Sequence, residues 1–208
     1  MSAAKIPDPT LRRLPMYYQC LLKYKVNGKE FISCTHIADE LGLVSVQVRK
    51  DLQAAGAVGK PKVGYNVAEL IGIIQNTLGY NHSNEAFLAG MGNLGQALAA
   101  HKEFEKCGLE IIAAFDNSPL KIGRDYFGKR VFPLNKLKNL AERMNIKIGI
   151  ITAPAKSAQE IADIMVDAGI KGIWNFAPVH LNVPDDVYVQ NENLAASLSV
   201  LLNKLSSQ

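Results

Sequence analysis

Residues 87–98 have the sequence Phe-Leu-Ala-Gly-Met-Gly-Asn-Leu-Gly-Gln-Ala-Leu, in which an apolar run leads into Gly-x-Gly-x-x-Gly and then into a helical pattern. Gly90 permits a tight turn after a strand, Gly92 lets a pyrophosphate approach the backbone, and Gly95 lets the helix pack closely on the strand. The N–H groups and the positive dipole end of that helix face the phosphates. The stretch therefore predicts a strand–turn–helix unit that binds a dinucleotide.

An acidic residue lies at the distance from this motif that dinucleotide binding requires. A second strand is predicted at 110–115 and ends at Asp116, which is 21 residues beyond Gly95. A carboxylate at this spacing binds ribose hydroxyls, favours NAD(H) and repels the additional phosphate of NADP. The alternative is a glycine turn in another kind of α/β protein, with Asp116 as a loop cap.

The rest of this region alternates strands with helices. Strands are predicted at 129–133, 146–151, 170–175 and 187–189, and helices at 94–106, 135–144 and 157–168. Such alternation predicts an α/β fold, a Rossmann-type doubly wound parallel sheet that binds ligands at the carboxyl ends of its strands. The predicted cofactor site comprises Gly90, Met91, Gly92, Asn93, Leu94, Gly95, Asp116, Asn117, Lys121, Ala153, Pro154, Asn175, Ala177 and Pro178.

Composition limits the class and location of the protein. No apolar run in the 208 residues reaches the roughly 18–20 residues of a membrane span, and the N-terminus lacks the apolar segment of a signal peptide. Cys20, Cys34 and Cys107 form no Cys-x-x-Cys pair, which indicates reduced thiols rather than a disulfide framework or a zinc site. We therefore expect a cytoplasmic protein with no membrane and no metal partner.

The excess positive charge lies in the N-terminal part. Residues 1–80 contain ten Lys or Arg and six Asp or Glu, whereas residues 81–208 contain thirteen of each kind. This asymmetry indicates a polyanionic partner for the N-terminal part.

The order of predicted elements in this part is typical of a DNA-binding module. Helices are predicted at 11–25, after Ser33 as N-cap, at 46–55 after Ser45 as N-cap, and at 67–78 after Asn66 as N-cap; a short strand is predicted at 31–32. The second and third helices, joined at Gly42, match the helix-turn-helix pattern. Gln47 and Arg49 carry donors that suit purine edges, and Lys50 suits a phosphate. The alternative is an ordinary solvated helix face, and Asp51 is expected on the outside with these residues.

Residues 56–65 alternate glycines with basic residues, which predicts a β-hairpin, or wing, with Lys60 and Lys62 near its tip. The lysines would then reach phosphates or the minor groove. Helices and wing together predict a winged-helix domain. The predicted DNA-binding residues are Ser45, Gln47, Arg49, Lys50, Lys60, Lys62 and Tyr65.

The C-terminal segment carries a wide apolar stripe formed by Leu194, Leu198, Leu201, Leu202 and Leu205. This helix packs either on its own domain or in a partner subunit, and DNA-binding proteins of this type commonly act as twofold dimers on palindromes. We therefore predict a winged-helix domain at 1–80, an NAD(H)-binding domain at 81–190 and a C-terminal helix at 191–208 that packs in one of these two ways.

Several segments, spread over nearly the whole chain, resemble Rex, a family of redox-sensing transcriptional repressors. They are Leu14–Tyr18, Gln47–Leu52, Val63–Val67, Gly92–Gly95, Ala168–Ile173 and Asn175–Pro178. The resemblance implies a homodimer with a winged-helix domain, a Rossmann domain and a domain-swapped C-terminal helix. It also implies binding of NADH, opposed by NAD⁺, with NADH releasing palindromic operator DNA and so inducing genes of fermentative or anaerobic metabolism.

Several positions differ from the pattern of that family, and three of them bear on function. Members often carry Tyr where this chain has His101, and Asp where it has Asn193. The resemblance implies that these groups couple the cofactor domain to the partner's C-terminal helix. With Leu194 and Leu198 they form the switch and dimer residues that the resemblance implies. In the wing, Pro61 removes a backbone donor and stiffens the tip.

The main alternative is a small NAD-dependent oxidoreductase. Hydride transfer to a carbonyl needs a proton donor near the nicotinamide, and His180 is the one obvious candidate beside mostly apolar strand ends. A third class is a CoA-binding domain of the succinyl-CoA synthetase type, against which Asp116 and the basic N-terminal part both argue. We therefore predict a regulator rather than an enzyme.

Overall fold

The structure, a computed structural model, describes residues 6–206. Its backbone contacts divide the chain after His82 into an N-terminal unit and a C-terminal unit. Within the described range, no helix combines the length and apolar character that crossing a membrane requires. Cys20, Cys34 and Cys107 are free thiols, and the first two are buried.

The N-terminal unit is a small helical domain with a two-stranded antiparallel sheet. Its elements are α1 (Asp8–Val26), β1 (Phe31–Ile32), α2 (Cys34–Leu41), α3 (Ser45–Ala54), β2 (Tyr65–Asn66) and α4 (Val67–Leu78). Helix α1 buries Leu14, Tyr17 and Leu21 in one cluster with Leu70 and Ile74 of α4. These positions recur at helical spacing, so packing of two amphipathic faces builds the core.

Local chemistry explains where the short helices begin and end. The Ser33 hydroxyl accepts a hydrogen bond from the His36 N–H (3.2 Å), and the Asn66 side chain accepts one from the Glu69 N–H (3.0 Å). Both side chains therefore act as the predicted N-caps. Ser45 does not, because the N-cap of α3 is Val44 and Ser45 is already the first helical residue.

The predicted wing is present but contains little regular strand. Lys60 and Gly64 exchange two backbone hydrogen bonds, of 2.7 and 2.9 Å, across a three-residue tip. Beyond the tip, Ile32 of β1 pairs with Tyr65 of β2. Pro61 lies within the tip, outside the bonded pair, so its missing N–H removes no bond between the two arms of the wing.

The C-terminal unit contains a seven-stranded sheet flanked by helices. Its elements are β3 (Asn84–Ala89), α5 (Asn93–Ala100), α6 (Glu103–Lys106), β4 (Leu109–Asp116), β5 (Asp125–Tyr126), β6 (Lys129–Pro133), α7 (Leu137–Met144), β7 (Ile148–Ile151), α8 (Ala155–Asp167), β8 (Gly172–Asn175), β9 (Tyr188–Asn191) and α9 (Leu194–Ser206). The 3₁₀ turn Leu134–Lys136 precedes α7.

The strand order is β5-β6-β4-β3-β7-β8-β9, and every pair is parallel except β5 with β6. The chain starts at the centre, proceeds outwards through β4 to β6, and then returns to β7 on the other side of β3. This is the doubly wound order, with its topological switch point between β3 and β7. Ligands bind at such a switch point, outside the carboxyl ends of the strands.

Strand β3 is buried on both faces of the sheet. Phe87 and Ala89 belong to one core cluster, whereas Ala86 and Leu88 belong to another. Successive strand residues point to opposite faces, so each face of the sheet carries its own core. A continuous apolar run is therefore what a central parallel strand requires.

The prediction for this unit differs from the structure in two elements. The helix predicted over 94–106 ends at Ala100, because His101 adopts an extended backbone (φ −84°, ψ 91°), and α6 follows separately. No glycine or proline marks that break. Residues 123–128, for which neither a strand nor a helix is predicted, contain β5, a strand of two residues that the sequence pattern does not distinguish from a turn.

Candidate nucleotide site and nucleic-acid interface

The three glycines of the motif serve different purposes. Gly90 has φ 103°, and a Cβ on it would lie 2.9 Å from the Ala153 nitrogen; a Cβ on Gly95 would lie 1.9 Å from the Gly90 oxygen. The fold itself therefore requires glycine at both positions. At Gly92 the backbone is ordinary (φ −73°), and an added Cβ would meet no described atom within 4 Å. The space in front of Gly92 is thus open to a ligand, which fits a phosphate group at the N-terminus of α5.

Asp116 lies at the end of β4, beside this turn. Its carboxylate accepts hydrogen bonds from the N–H groups of Met91 (2.8 Å) and Ser118 (2.8 Å) and from the ammonium of Lys121 (3.0 Å). Burial alone would raise the pKa of Asp116, but these hydrogen bonds outweigh it and lower the pKa. The carboxylate is therefore charged at neutral pH, and 13% of its side chain remains exposed.

A cleft of about 540 Å³ opens between these residues and the end of β7. Seven predicted cofactor residues line it: Gly90, Gly92, Asp116, Asn117, Lys121, Ala153 and Pro154. Five further residues complete the lining: Phe115, Leu134, Thr152, Ser157 and Ile161. Leu134 follows the end of β6, and Ser157 lies in the first turn of α8. Neither residue was predicted to belong to the site. Their positions, just after a strand and at the start of a helix, are the signal in the sequence that could have identified them.

The other predicted cofactor residues lie outside this lining. Met91 is fully buried, Gly95 is buried against the turn, Leu94 is half-buried and Asn93 is exposed at the start of α5. Asn175 also belongs to this group, together with Ala177 and Pro178 beyond the end of β8.

Asn175 is fully buried, and its amide group is hydrogen-bonded within the protein. Its Oδ1 accepts from the Ala177 N–H (3.0 Å), and its Nδ2 donates to the Val179 carbonyl (3.0 Å) and to Asn191 Oδ1 (2.8 Å). The side chain thus fixes the loop after β8 to β9, and the binding of the cofactor by Asn175 stays a prediction.

Helix α3 presents its cations to solvent. Arg49 and Lys50 are exposed, whereas Val48 and Leu52 are fully buried against the rest of the unit. Arg49 also lines a groove of about 430 Å³ together with Lys60, Lys62 and Tyr65 from the wing. Ser33, Cys34 and Thr35 at the start of α2 form its other wall. Four of the seven predicted DNA-binding residues thus line one positively charged groove; of the others, Ser45 is half-buried and Gln47 and Lys50 are exposed.

Asp51 corrects the prediction that it lies outside, because it is only 1% exposed. Its carboxylate accepts hydrogen bonds from Thr10 (2.9 Å), Tyr17 (2.7 Å) and Gln47 (3.0 Å), and two from Arg13 (2.6 and 2.8 Å). Burial alone would raise the pKa of Asp51, but these hydrogen bonds, led by that of Arg13, hold it at about 2. The network fastens α3 to α1 and engages the amide of Gln47.

The predicted switch residues lie at the ends of α5 and α9. His101 is exposed at the end of α5, and its ring contacts Phe104 edge-on with centroids 4.7 Å apart. Asn193 accepts a hydrogen bond from the Ala196 N–H (3.1 Å) at the start of α9. The side chain of Leu194 lies outside the described part of the structure.

Helix α9 leaves its apolar side chains uncovered. Leu198, Leu201, Leu202 and Leu205 are between 53 and 58% exposed. A helix with such a stripe normally buries it. Within residues 6–206, no group of three or more His, Cys, Asp or Glu side chains is arranged to hold a metal ion.

Comparisons with known proteins match both units. Residues 5–53 match a family described as a putative DNA-binding protein N-terminus, and residues 81–179 match a family described as a CoA binding domain. The redox-sensing transcriptional repressor Rex of Treponema denticola is 44% identical and aligned over 98% of this chain and 99% of its own. The protein of the same name from Bacteroides thetaiotaomicron is 39% identical over 99% and 94%, respectively.

Solved structures of a Rex-family repressor are also similar to this chain. RSP, described as a Rex-family repressor, has been crystallised with β-NAD⁺ and operator DNA; that structure covers 98% of this chain and 94% of its own, with 35% identity and a TM-score of 0.92. Its complex with β-NADH covers 97% and 95%, with 35% identity and a TM-score of 0.86.

Proposed function

Because the chain belongs to the Rex family of redox-sensing transcriptional repressors, we propose that it represses transcription by binding palindromic operator DNA and that NADH releases it. The observation that carries this proposal is the likeness over 98% of the chain to a repressor crystallised with operator DNA. The protein would then respond to the NADH/NAD⁺ ratio in the cytoplasm, where the DNA is.

The cleft of the C-terminal unit is the proposed dinucleotide site. Gly92 and the free N–H groups at the start of α5 suit the pyrophosphate, and the remaining acceptor capacity of Asp116 suits an adenosine ribose hydroxyl. The apolar side chains of Leu134 and Ile161 in the lining suit a base. NADH and NAD⁺ differ at the nicotinamide ring, which is neutral and carries the hydride in NADH and is positively charged in NAD⁺. The residues of the cleft would bind and orient either molecule.

The basic groove and the exposed face of α3 form the proposed DNA interface. Arg49 and Lys50 on α3 and Lys60 and Lys62 on the wing supply the cations. Lysines contact phosphates without regard to sequence, whereas arginine also forms paired hydrogen bonds with guanine.

We further propose a homodimer in which α9 packs on a partner subunit. The exposed leucines of α9 support this proposal, since a second copy would cover them. His101 and Asn193 are the proposed coupling residues.

Catalysis is not part of the proposed function. His180, the candidate proton donor, is an exposed loop residue. The match to a family described as a CoA binding domain does not make CoA the proposed ligand. CoA carries a ribose phosphate, which the Asp116 carboxylate would repel.

Release of DNA by NADH requires that NADH bind the DNA-free form more tightly than the DNA-bound form. A preference of about 100-fold corresponds to about 2.7 kcal/mol. NAD⁺ must lack that preference if the protein is to sense the ratio.

A gel-shift titration tests the proposal. The full-length protein would select a duplex from a randomised pool, and each dinucleotide would then be titrated into the complex. We expect NADH to release the duplex and NAD⁺ to leave it bound. Equal effects of the two dinucleotides would contradict the proposal.

Two variants assign the DNA interface. We expect Arg49→Ala to weaken duplex binding at least about fivefold, because a good paired contact to guanine is worth roughly 1–3 kcal/mol. NADH affinity should not change. Arg143→Ala removes an exposed arginine from α7 of the other unit and serves as the matched control. Unchanged duplex binding by Arg49→Ala would remove α3 from the interface.

A further inference from the structure

The outward face of α3 has an apolar residue at its centre. Val48, Asp51 and Leu52 form the buried face. Counting 100° per residue, Val46 lies nearly opposite Val48 and shares its face with Arg49, Lys50 and Gln53, which are three, four and seven positions further along. Val46 is thus flanked by the cations of the proposed DNA interface.

Exposure sets Val46 apart from the other aliphatic side chains of α3. Val46 is 55% exposed, and the adjoining Val44 is 69% exposed, whereas Val48 and Leu52 are fully buried. A single exposed valine is ordinary on a protein surface. These two lie together at the N-terminal end of α3, and Arg49, which shares the face of Val46, also lines the basic groove.

Gln47 differs from Val46 in orientation. Its Nε2 donates to the buried Asp51 carboxylate at 3.0 Å, so the side chain leans towards the flank of α3. Val46 therefore occupies the centre of the outward face, and Gln47 lies at its side.

In helix-turn-helix proteins, residues near the N-terminus of the recognition helix contact base edges in the major groove. The apolar group that base pairs present there is the C5-methyl of thymine. We propose that Val46 determines sequence specificity by packing on a thymine methyl group in each half-site of the operator. This inference rests on the proposed function and adds a base preference to it.

Replacement of thymine by deoxyuridine tests the contact, because it removes the methyl group and leaves base pairing intact. The probe is the duplex selected from a randomised pool by the full-length protein, with deoxyuridine placed at one symmetric pair of positions at a time. Affinity is measured by fluorescence anisotropy. For the native protein we expect one such pair to weaken binding by about fourfold per half-site, the factor associated with burial of one methyl group.

The variant Val46→Ala should bind the thymine duplex about as weakly as the native protein binds the deoxyuridine duplex, and should lose nothing more on the deoxyuridine duplex. Val26→Ala, which changes a valine 86% exposed at the end of α1, should retain the full thymine preference. Circular dichroism would establish that both variants are folded.

A native protein indifferent to every deoxyuridine pair would overturn the inference while leaving the proposed function intact. The same holds if Val46→Ala keeps the full thymine preference. If the pool yields no enriched duplex, the proposed function fails and the inference fails with it.

Discussion

The surroundings of Asp51 in the N-terminal unit and Asp116 in the C-terminal unit distinguish two uses of a carboxylate. Asp51 accepts five hydrogen bonds from side chains and is 1% exposed, so its roughly four lone-pair sites are fully used. Asp116 accepts three, two of them from backbone N–H groups, and is 13% exposed on a cleft. Spare acceptor capacity combined with exposure separates an acid that binds a ligand from one that joins helices.

The charge partners of the two acids differ in the same way. Arg13 makes two hydrogen bonds to Asp51, and its side chain is 25% exposed, so the pair is largely removed from water. Lys121 makes one hydrogen bond to Asp116, and both groups line the cleft. Loss of Asp51 should therefore damage the fold, whereas loss of Asp116 should chiefly alter ligand selection.

The largest expected effect is that of Asp51→Asn. Removing one partner of a buried ion pair costs about 3–5 kcal/mol, because the guanidinium of Arg13 is left without its counter-charge. Urea unfolding of the full chain would be followed by far-ultraviolet circular dichroism and by fluorescence of Trp174, the single tryptophan of the chain, which lies in the C-terminal unit. The loss should affect the transition of the N-terminal unit and leave the Trp174 transition unchanged.

Acid titration provides the control for that result. The folded pKa of Asp51 is about 2, below the roughly 3.9 of a free aspartate. Its stabilising contribution is thus complete above about pH 4 and disappears as the pH falls towards 2. Asp51→Asn should lack this part of the acid sensitivity. A variant within about 1 kcal/mol of the native protein would show that the network is not structural.

A smaller effect is expected from Gly95→Ala, and it sharpens the same distinction between fold and ligand. The new Cβ would lie 1.9 Å from the Gly90 oxygen, so we expect a stability loss of about 1–3 kcal/mol in the Trp174 transition. Gly92→Ala is the matched variant, because its Cβ meets no described atom within 4 Å. It should preserve stability and weaken NADH binding, measured by calorimetry. Equal stability losses in the two variants would contradict the division of roles.

The contrast also explains which parts of the molecule could be predicted from the sequence. The glycine turn and the doubly wound sheet were predictable because backbone constraints require glycine at Gly90 and Gly95, and burial on both faces of the sheet requires apolar residues over 86–89 of β3. The buried position of Asp51 was not predictable from the pattern of α3, because its donors Thr10, Arg13 and Tyr17 belong to α1. A side-chain network between distant segments depends on how those segments pack together, and the local sequence pattern of one helix does not predict that packing.

The same reasoning applies within the cleft. The motif identified Gly92 and Asp116, which lie where the spacing placed them. It did not reveal that the Asn175 amide donates hydrogen bonds to Val179 and Asn191, because the positions of these two residues are known only from the fold. Residue type and position at a strand end predicted proximity to a site, but hydrogen-bond partners decide what a side chain is free to bind.

The smallest expected effect, and the sharpest test of the comparison, is that of Asp116→Ala on dinucleotide choice. Calorimetry would measure NADH and NADPH affinities, and we expect their ratio to shift towards NADPH by about tenfold, or 1.4 kcal/mol, because repulsion of the ribose phosphate is removed. Asp125→Ala, which removes an exposed acid from β5, should leave the ratio unchanged. If the ratio does not move in Asp116→Ala either, Lys121 already neutralises the carboxylate, and Asp116 is a structural acid of the same kind as Asp51.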